Sequence, residues 1–186
     1  LVLSCMLCVL AISCSKDDGL DNDSGKIVYV AGFESIDGVN VATLWKNGQA
    51  IRLTNGTNKA EAYSVIVSGD DVYVAGYATF GSSPIAVVWK NGVCMPLSNL
   101  SSYAKSVYVD GNSIYAAGRE YIKAYTATYW ANDISNLLAD KYSYTESVYV
   151  ANGDVYVGGA EPGTGKNAML WKNGQAMALS FPNGTS

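Results

Sequence analysis

Four tryptophans, Trp45, Trp89, Trp130 and Trp171, stand 44, 41 and 41 residues apart, and each lies in a copy of one repeated unit. The copies read IVYVAG…ATLWKNGQAIRL, SVIVSGDDVYVAG…AVVWKNGVCMPL, SVYVDGNSIYAAG…ATYWANDISNL and SVYVANGDVYVGG…AMLWKNGQAMAL. A unit this short cannot bury its own apolar face, so the copies must stack into one continuous core. That requirement excludes most architectures before any single residue is considered.

Within each unit apolar residues recur with period two, as in Val72-Tyr73-Val74-Ala75, and Val, Tyr and Ile dominate. These are strand signals. The unit reads as a four-stranded antiparallel meander. Strand A covers Ser64 to Val67, Ser106 to Val109 and Ser147 to Val150; strand B ends in Ala-Gly or Gly-Gly; strand C carries the Trp; strand D ends in Leu. Asn47-Gly48, Asn91-Gly92 and Asn173-Gly174 join C to D, since Asn-Gly supplies the positive φ that a two-residue hairpin turn needs. The third unit has Ala131-Asn132-Asp133 there, which predicts a longer or looser turn.

Four-stranded meanders at this repeat length predict β-propeller blades in an all-β fold, with units over 26–54, 64–98, 106–138 and 147–180 inside a domain of 26–186. A β-trefoil is the alternative, but three units close a trefoil and four are present. Unit one begins at strand B, so fifteen of sixteen strands are expected, and the chain reads as a truncated arc of a larger propeller of about six to eight blades. Tyr29, Tyr73, Tyr115 and Tyr156, with the four Trp, are expected to pack between blades.

Val155 to Gly159 (VYVGG), with a Trp on the next strand, resembles the Kelch type of blade, and Val-Tyr-Val-Ala-Gly combined with Trp-Lys-Asn-Gly resembles a group of propeller-repeat surface lipoproteins. The front of the chain agrees. Leu1 to Ser13 is an apolar run too short for a membrane span of roughly 20 residues but suited to a signal peptide, and Cys14 follows it. Small and aliphatic residues before a Cys resemble the lipobox of bacterial lipoproteins, although Ala11 stands where that motif usually has Leu. Segment 1–14 is thus read as a lipoprotein signal peptide ending at a lipidated Cys14, and 15–25 as a flexible acidic tether. An ordinary cleaved secretory signal is the other reading. Ser15-Lys16-Asp17-Asp18 resembles the export tag of Bacteroidetes lipoproteins, which implies a lipid-anchored position on the outer membrane facing the cell exterior, with periplasm or secretion as alternatives.

A net charge of -4 gives no basic footprint for nucleic acid, and the absence of His removes the commonest general base and zinc ligand. No metal and no cofactor is expected. Cys94 reads as a small buried hydrophobe rather than a nucleophile, and Gly163-Thr164-Gly165-Lys166 as a loop between strands rather than a phosphate cradle.

Loops vary most between units where strand A is entered and strand B is left, and those loops share one rim of a propeller. The candidate ligand residues are therefore Glu61, Tyr63, Tyr103, Lys105, Tyr144 and Glu146 before strand A, with Glu34, Tyr77, Arg119, Glu120 and Glu161 after strand B. Glu34, Glu120 and Glu161 occupy one equivalent place, read as a solvated polar rim, so that Glu120→Ala would be nearly neutral. The expected function is a non-catalytic binding module for a glycan or protein ligand. A carbohydrate-active hydrolase or lyase, and a scaffold in an outer-membrane complex, are the alternatives.

Overall fold

The computed structural model describes residues 25–162 and 166–179. Cys14, its apolar leader, the tether up to residue 24, the loop 163–165 and the tail from residue 180 lie outside the described residues. What is described is all-β, with four antiparallel meanders and no helix. The first sheet has three strands, β1 (Tyr29–Ile36), β2 (Val39–Lys46) and β3 (Gln49–Arg52). The second has β4 (Ala60–Ser68), β5 (Asp71–Phe80), β6 (Ser83–Lys90) and β7 (Val93–Pro96). The third has β8 (Ser102–Asp110), β9 (Ser113–Tyr121), β10 (Tyr125–Ala131) and β11 (Ile134–Leu137). The fourth has β12 (Tyr144–Ala151), β13 (Asp154–Pro162), β14 (Lys166–Lys172) and β15 (Gln175–Leu179).

The sheets pack face to face in chain order, like propeller blades, and the first does not close on the fourth among the described residues. Among the described residues the fold is the expected open arc of fifteen strands. Strands β4, β8 and β12 touch their counterparts in the adjacent blades and so line the inner side, whereas β3, β7, β11 and β15 are exposed at the outer edge.

Strand alternation explains the core. Ala42, Leu44 and Ala31 of the first blade meet Val74, Val87 and a fully buried Trp89 of the second. Tyr73, Ala75, Ala86 and Val88 on the opposite face of the second blade meet Trp130 of the third, and Ala117 and Ala127 meet Trp171 of the fourth. Each Trp thus faces the preceding blade. Trp45 faces away from its one neighbour in the structure and is only half-buried, which corrects the expectation that all four Trp pack alike. Tyr29 and Tyr115 are half-buried against the next blade and Tyr73 is buried, while Tyr156, on the outward face of the last sheet, is half-buried.

Serines tie the blades together. Ser64 and Ser106 Oγ accept from the Val107 and Val148 amides of the following blade at 3.3 and 3.2 Å, and Ser102 and Ser143 Oγ accept from the Ala86 and Ala127 amides of the preceding one at 2.9 and 2.8 Å. These are partners for backbone groups that strand pairing alone leaves unused.

The turn of the third unit is not longer. Ala131 pairs with Ile134 across a two-residue turn, as Lys90 pairs with Val93. Asn132 takes φ +58° as the other turn asparagines do, and its Oδ1 accepts from the Ile114 amide at 3.0 Å. Asn47, Asn91 and Asn173 make the same clamp onto strand B, so the Asn rather than the Gly fixes the turn. Cys94 is likewise corrected: it lies on β7 and is exposed, because that strand is the blade's outer edge.

Candidate functional site at the inner rim

Strands β4, β8 and β12 begin three or four residues before period-two alternation places them, and the cause is a β-bulge in each. Ala62 and Ser64 face the adjacent residues Gly76 and Ala75, which leaves Tyr63 as the extra residue. Lys105 is left out in the same way between Ala104 and Ser106, and Glu146 between Thr145 and Ser147. A bulge re-aims a side chain and resets the alternation behind it. Three blades therefore present a tyrosine, a lysine and a glutamate at one repeat-equivalent place on the inner strands.

The bulge explains why strand B ends in glycine. A Cβ on Gly76, Gly118 or Gly159 would stand 2.0, 1.8 or 2.1 Å from the carbonyl oxygen of Glu61, Tyr103 or Tyr144. Only hydrogen fits beneath the displaced backbone.

Around these residues the rim is a connected network. Glu61 Oε1 accepts from Asn40 Nδ2 at 2.7 Å and Tyr77 OH at 3.0 Å, Oε2 accepts from Tyr63 OH at 2.8 Å, and Lys59 Nζ lies 3.2 Å away. Burial raises the Glu61 pKa, but bonds from Asn40, Tyr63, Lys59 and Tyr77 outweigh it and hold the carboxyl below its ordinary value. Glu61 is a fixed anion that orders two tyrosines. Burial, reinforced by that anion, pushes the phenol pKa of both Tyr63 and Tyr77 up, so both stay protonated donors.

From there the rings continue across the next blade. Tyr77 meets Tyr103 edge-on at 4.9 Å, Tyr103 lies 5.8 Å from Tyr125, and Tyr125 meets Tyr121 at 5.2 Å. The Arg119 guanidinium sits 5.0 Å from the Tyr103 ring and 4.7 Å from the Tyr125 ring, and Lys105 Nζ sits 3.5 Å from the Tyr63 ring. Cation–π contacts of this kind contribute about 0.5–2 kcal/mol. Burial lowers the Lys105 pKa, opposed by Glu146 and assisted by the Arg119 charge. Beside them a cleft of about 290 Å³ is lined by Lys105, Arg119, Tyr142, Tyr144, Thr145 and Glu146.

Of the residues the sequence singles out, Glu61, Tyr63, Tyr77, Tyr103, Lys105, Arg119, Tyr144 and Glu146 come together here. Glu34, Glu120 and Glu161 do not form a shared rim. Glu34 lies 3.8 Å from Arg52, Glu161 binds Lys141 at 2.9 Å, and Glu120 is buried and accepts from Ser98 Oγ. Equivalent position does not give equivalent role, because each long side chain meets a different distant partner: Arg52 at the end of β3, Ser98 after β7, or Lys141 before β12. Glu120 in particular is no solvated residue, and its loss would take the acceptor from the half-buried Ser98 hydroxyl.

Asn40, Lys59, Tyr121, Tyr125 and Tyr142 belong to the site and were not legible beforehand. Tyr125 opens the Trp-bearing strand and pairs with Tyr121, a tyrosine pair that the other units lack; that departure from the repeat was the available signal. Among the described residues no group of His, Cys, Asp or Glu could hold a metal ion. The fold and rim define an open propeller-type arc with an aromatic and cationic inner edge. No protein-family model matches the chain, and no curated protein is similar to it.

Proposed function

We propose that this chain is a non-catalytic binding module of the β-propeller type, carried on the bacterial outer membrane by a lipid on Cys14, and that its inner rim takes a glycan. The supporting observation is the set of three bulges, which turn Tyr63, Lys105 and Glu146 toward one edge beside a run of tyrosines. Tyrosine rings offer flat apolar faces with polar tips, the combination that suits a sugar's C–H face and hydroxyls. Glu61 favours binding over acid–base chemistry, since a carboxylate held ionised by four donors is a poor proton donor.

The test is a glycan array probed with the full chain, followed by titration of the best ligand. Tyr103→Ala is expected to weaken binding about tenfold, the scale of one lost aromatic contact. An array without ligands, or a Tyr103→Ala variant that binds as the parent does, would reject the proposal.

A further inference from the structure

Lys105 and Arg119 are the two cations of the cleft, and among the described residues neither forms an ion pair; Lys26, Lys46 and Lys123 form none either, but those three are exposed, whereas Lys105 and Arg119 are half-buried. Arg119 Nε is buried without a hydrogen-bond partner. The Trp89, Trp130 and Trp171 indole nitrogens and Thr54 Oγ1 are unpaired too, but of these residues Arg119 alone lines the cleft. Burial alone disfavours the Lys105 ammonium. Two half-buried cations thus rest on tyrosine rings with Glu146 as the single carboxylate of the cleft, which leaves the cleft short of one anion.

Resting on the glycan reading above, we infer that the cleft between Lys105, Arg119 and Glu146 is a subsite for the carboxylate of an acidic sugar, a uronic acid within a glycan chain. Three features select that class. With Glu146 counted, the cleft carries one net positive charge, which matches a monoanionic carboxylate better than a doubly charged phosphate. The planar guanidinium, held between Tyr103 and Tyr125, is suited to a planar carboxylate. Glu146 is acceptor-only when ionised, so it would receive the sugar's hydroxyls while Tyr142 and Tyr144 cover its ring. The cleft volume of about 290 Å³ holds a single sugar unit rather than a long segment.

The experiment compares an oligogalacturonate with its methyl ester, which keeps the sugar and removes the charge, by calorimetric titration of the full chain in detergent. Esterification should weaken binding about tenfold or more, as the loss of charge-assisted hydrogen bonds implies. Lys105→Met should narrow the difference between acid and ester, with Arg119 left to hold the carboxylate and a melting temperature no lower than the parent's at pH 7, and Glu146→Gln should tighten the acid form only. Equal affinity of the parent chain for acid and ester would overturn the subsite while leaving the glycan reading intact. Failure to bind either form also overturns it, and failure across neutral glycans as well removes the glycan reading with it. A glutamate-rich peptide that binds as tightly as the oligosaccharide would refute the assignment to a sugar.

Discussion

Gly118→Ala probes the bulge that builds the rim. The added methyl carbon would stand 1.8 Å from the Tyr103 carbonyl oxygen, 2.8 Å from its carbon and 3.0 Å from Ala104 Cα. All three are backbone atoms, so no side chain can turn away, and β8 must lift or lose its bulge. Overpacking of a core costs about 1–3 kcal/mol and more where backbone must shift, so about 3 kcal/mol or above is expected. In a chain of this size that lowers the melting temperature by roughly 6–12 °C. Lifting β8 also displaces Lys105, so glycan affinity should fall with stability. Gly25→Ala is the control: nothing lies within 4 Å of its added carbon, and removing a glycine in open space changes stability by under about 1 kcal/mol. Thermal melts of both variants decide the matter. A Gly118→Ala protein melting within about 2 °C of the parent would refute the steric account of the strand-B glycine.

Trp89→Ala should cost about 3–5 kcal/mol by denaturant titration, toward the lower end because its indole N–H is buried without a partner. Trp45→Ala, deleting a half-buried ring with no blade against it in the structure, should cost less than half as much. Lys105 gives a pH signature. Its folded pKa lies below the ordinary 10.5, so between the two values the unfolded chain binds more protons and stability rises with pH. The penalty is fully present below the folded pKa and is relieved as pH rises toward the unfolded value. Lys105→Met should therefore be at least as stable as the parent at pH 7, with its advantage shrinking in melts near pH 10. Labelled palmitate should enter the parent in a bacterial host and be absent from Cys14→Ala, which should leave the membrane fraction; unchanged labelling would contradict the anchor.

The blades were legible because Trp spacing, Asn-Gly turns and period-two strands all report on the same repeat. The start of each inner strand was not, since the bulge at Tyr63, Lys105 or Glu146 breaks alternation where the rim begins. Alternation resumes at Ser64, Ser106 and Ser147, which is where the strands were expected to start. The trace of the bulge was nonetheless in the sequence, as the glycine closing each strand B. Side-chain destinations were the least legible part. Glu61 has two partners close in sequence, Lys59 and Tyr63, but its bonds from Asn40 and Tyr77, like that of Glu161 to Lys141, come from distant strands and loops that no local pattern announces.

Hydrogen–deuterium exchange with and without the glycan selected on the array tests most directly whether the bulged inner rim is the binding surface. Protection is predicted in peptides covering Ala60–Ser64, Ser101–Ser106 and Tyr142–Ser147, with β3, β7, β11 and β15 unchanged. Protection confined to those outer strands, with the inner rim unaltered, would contradict the account.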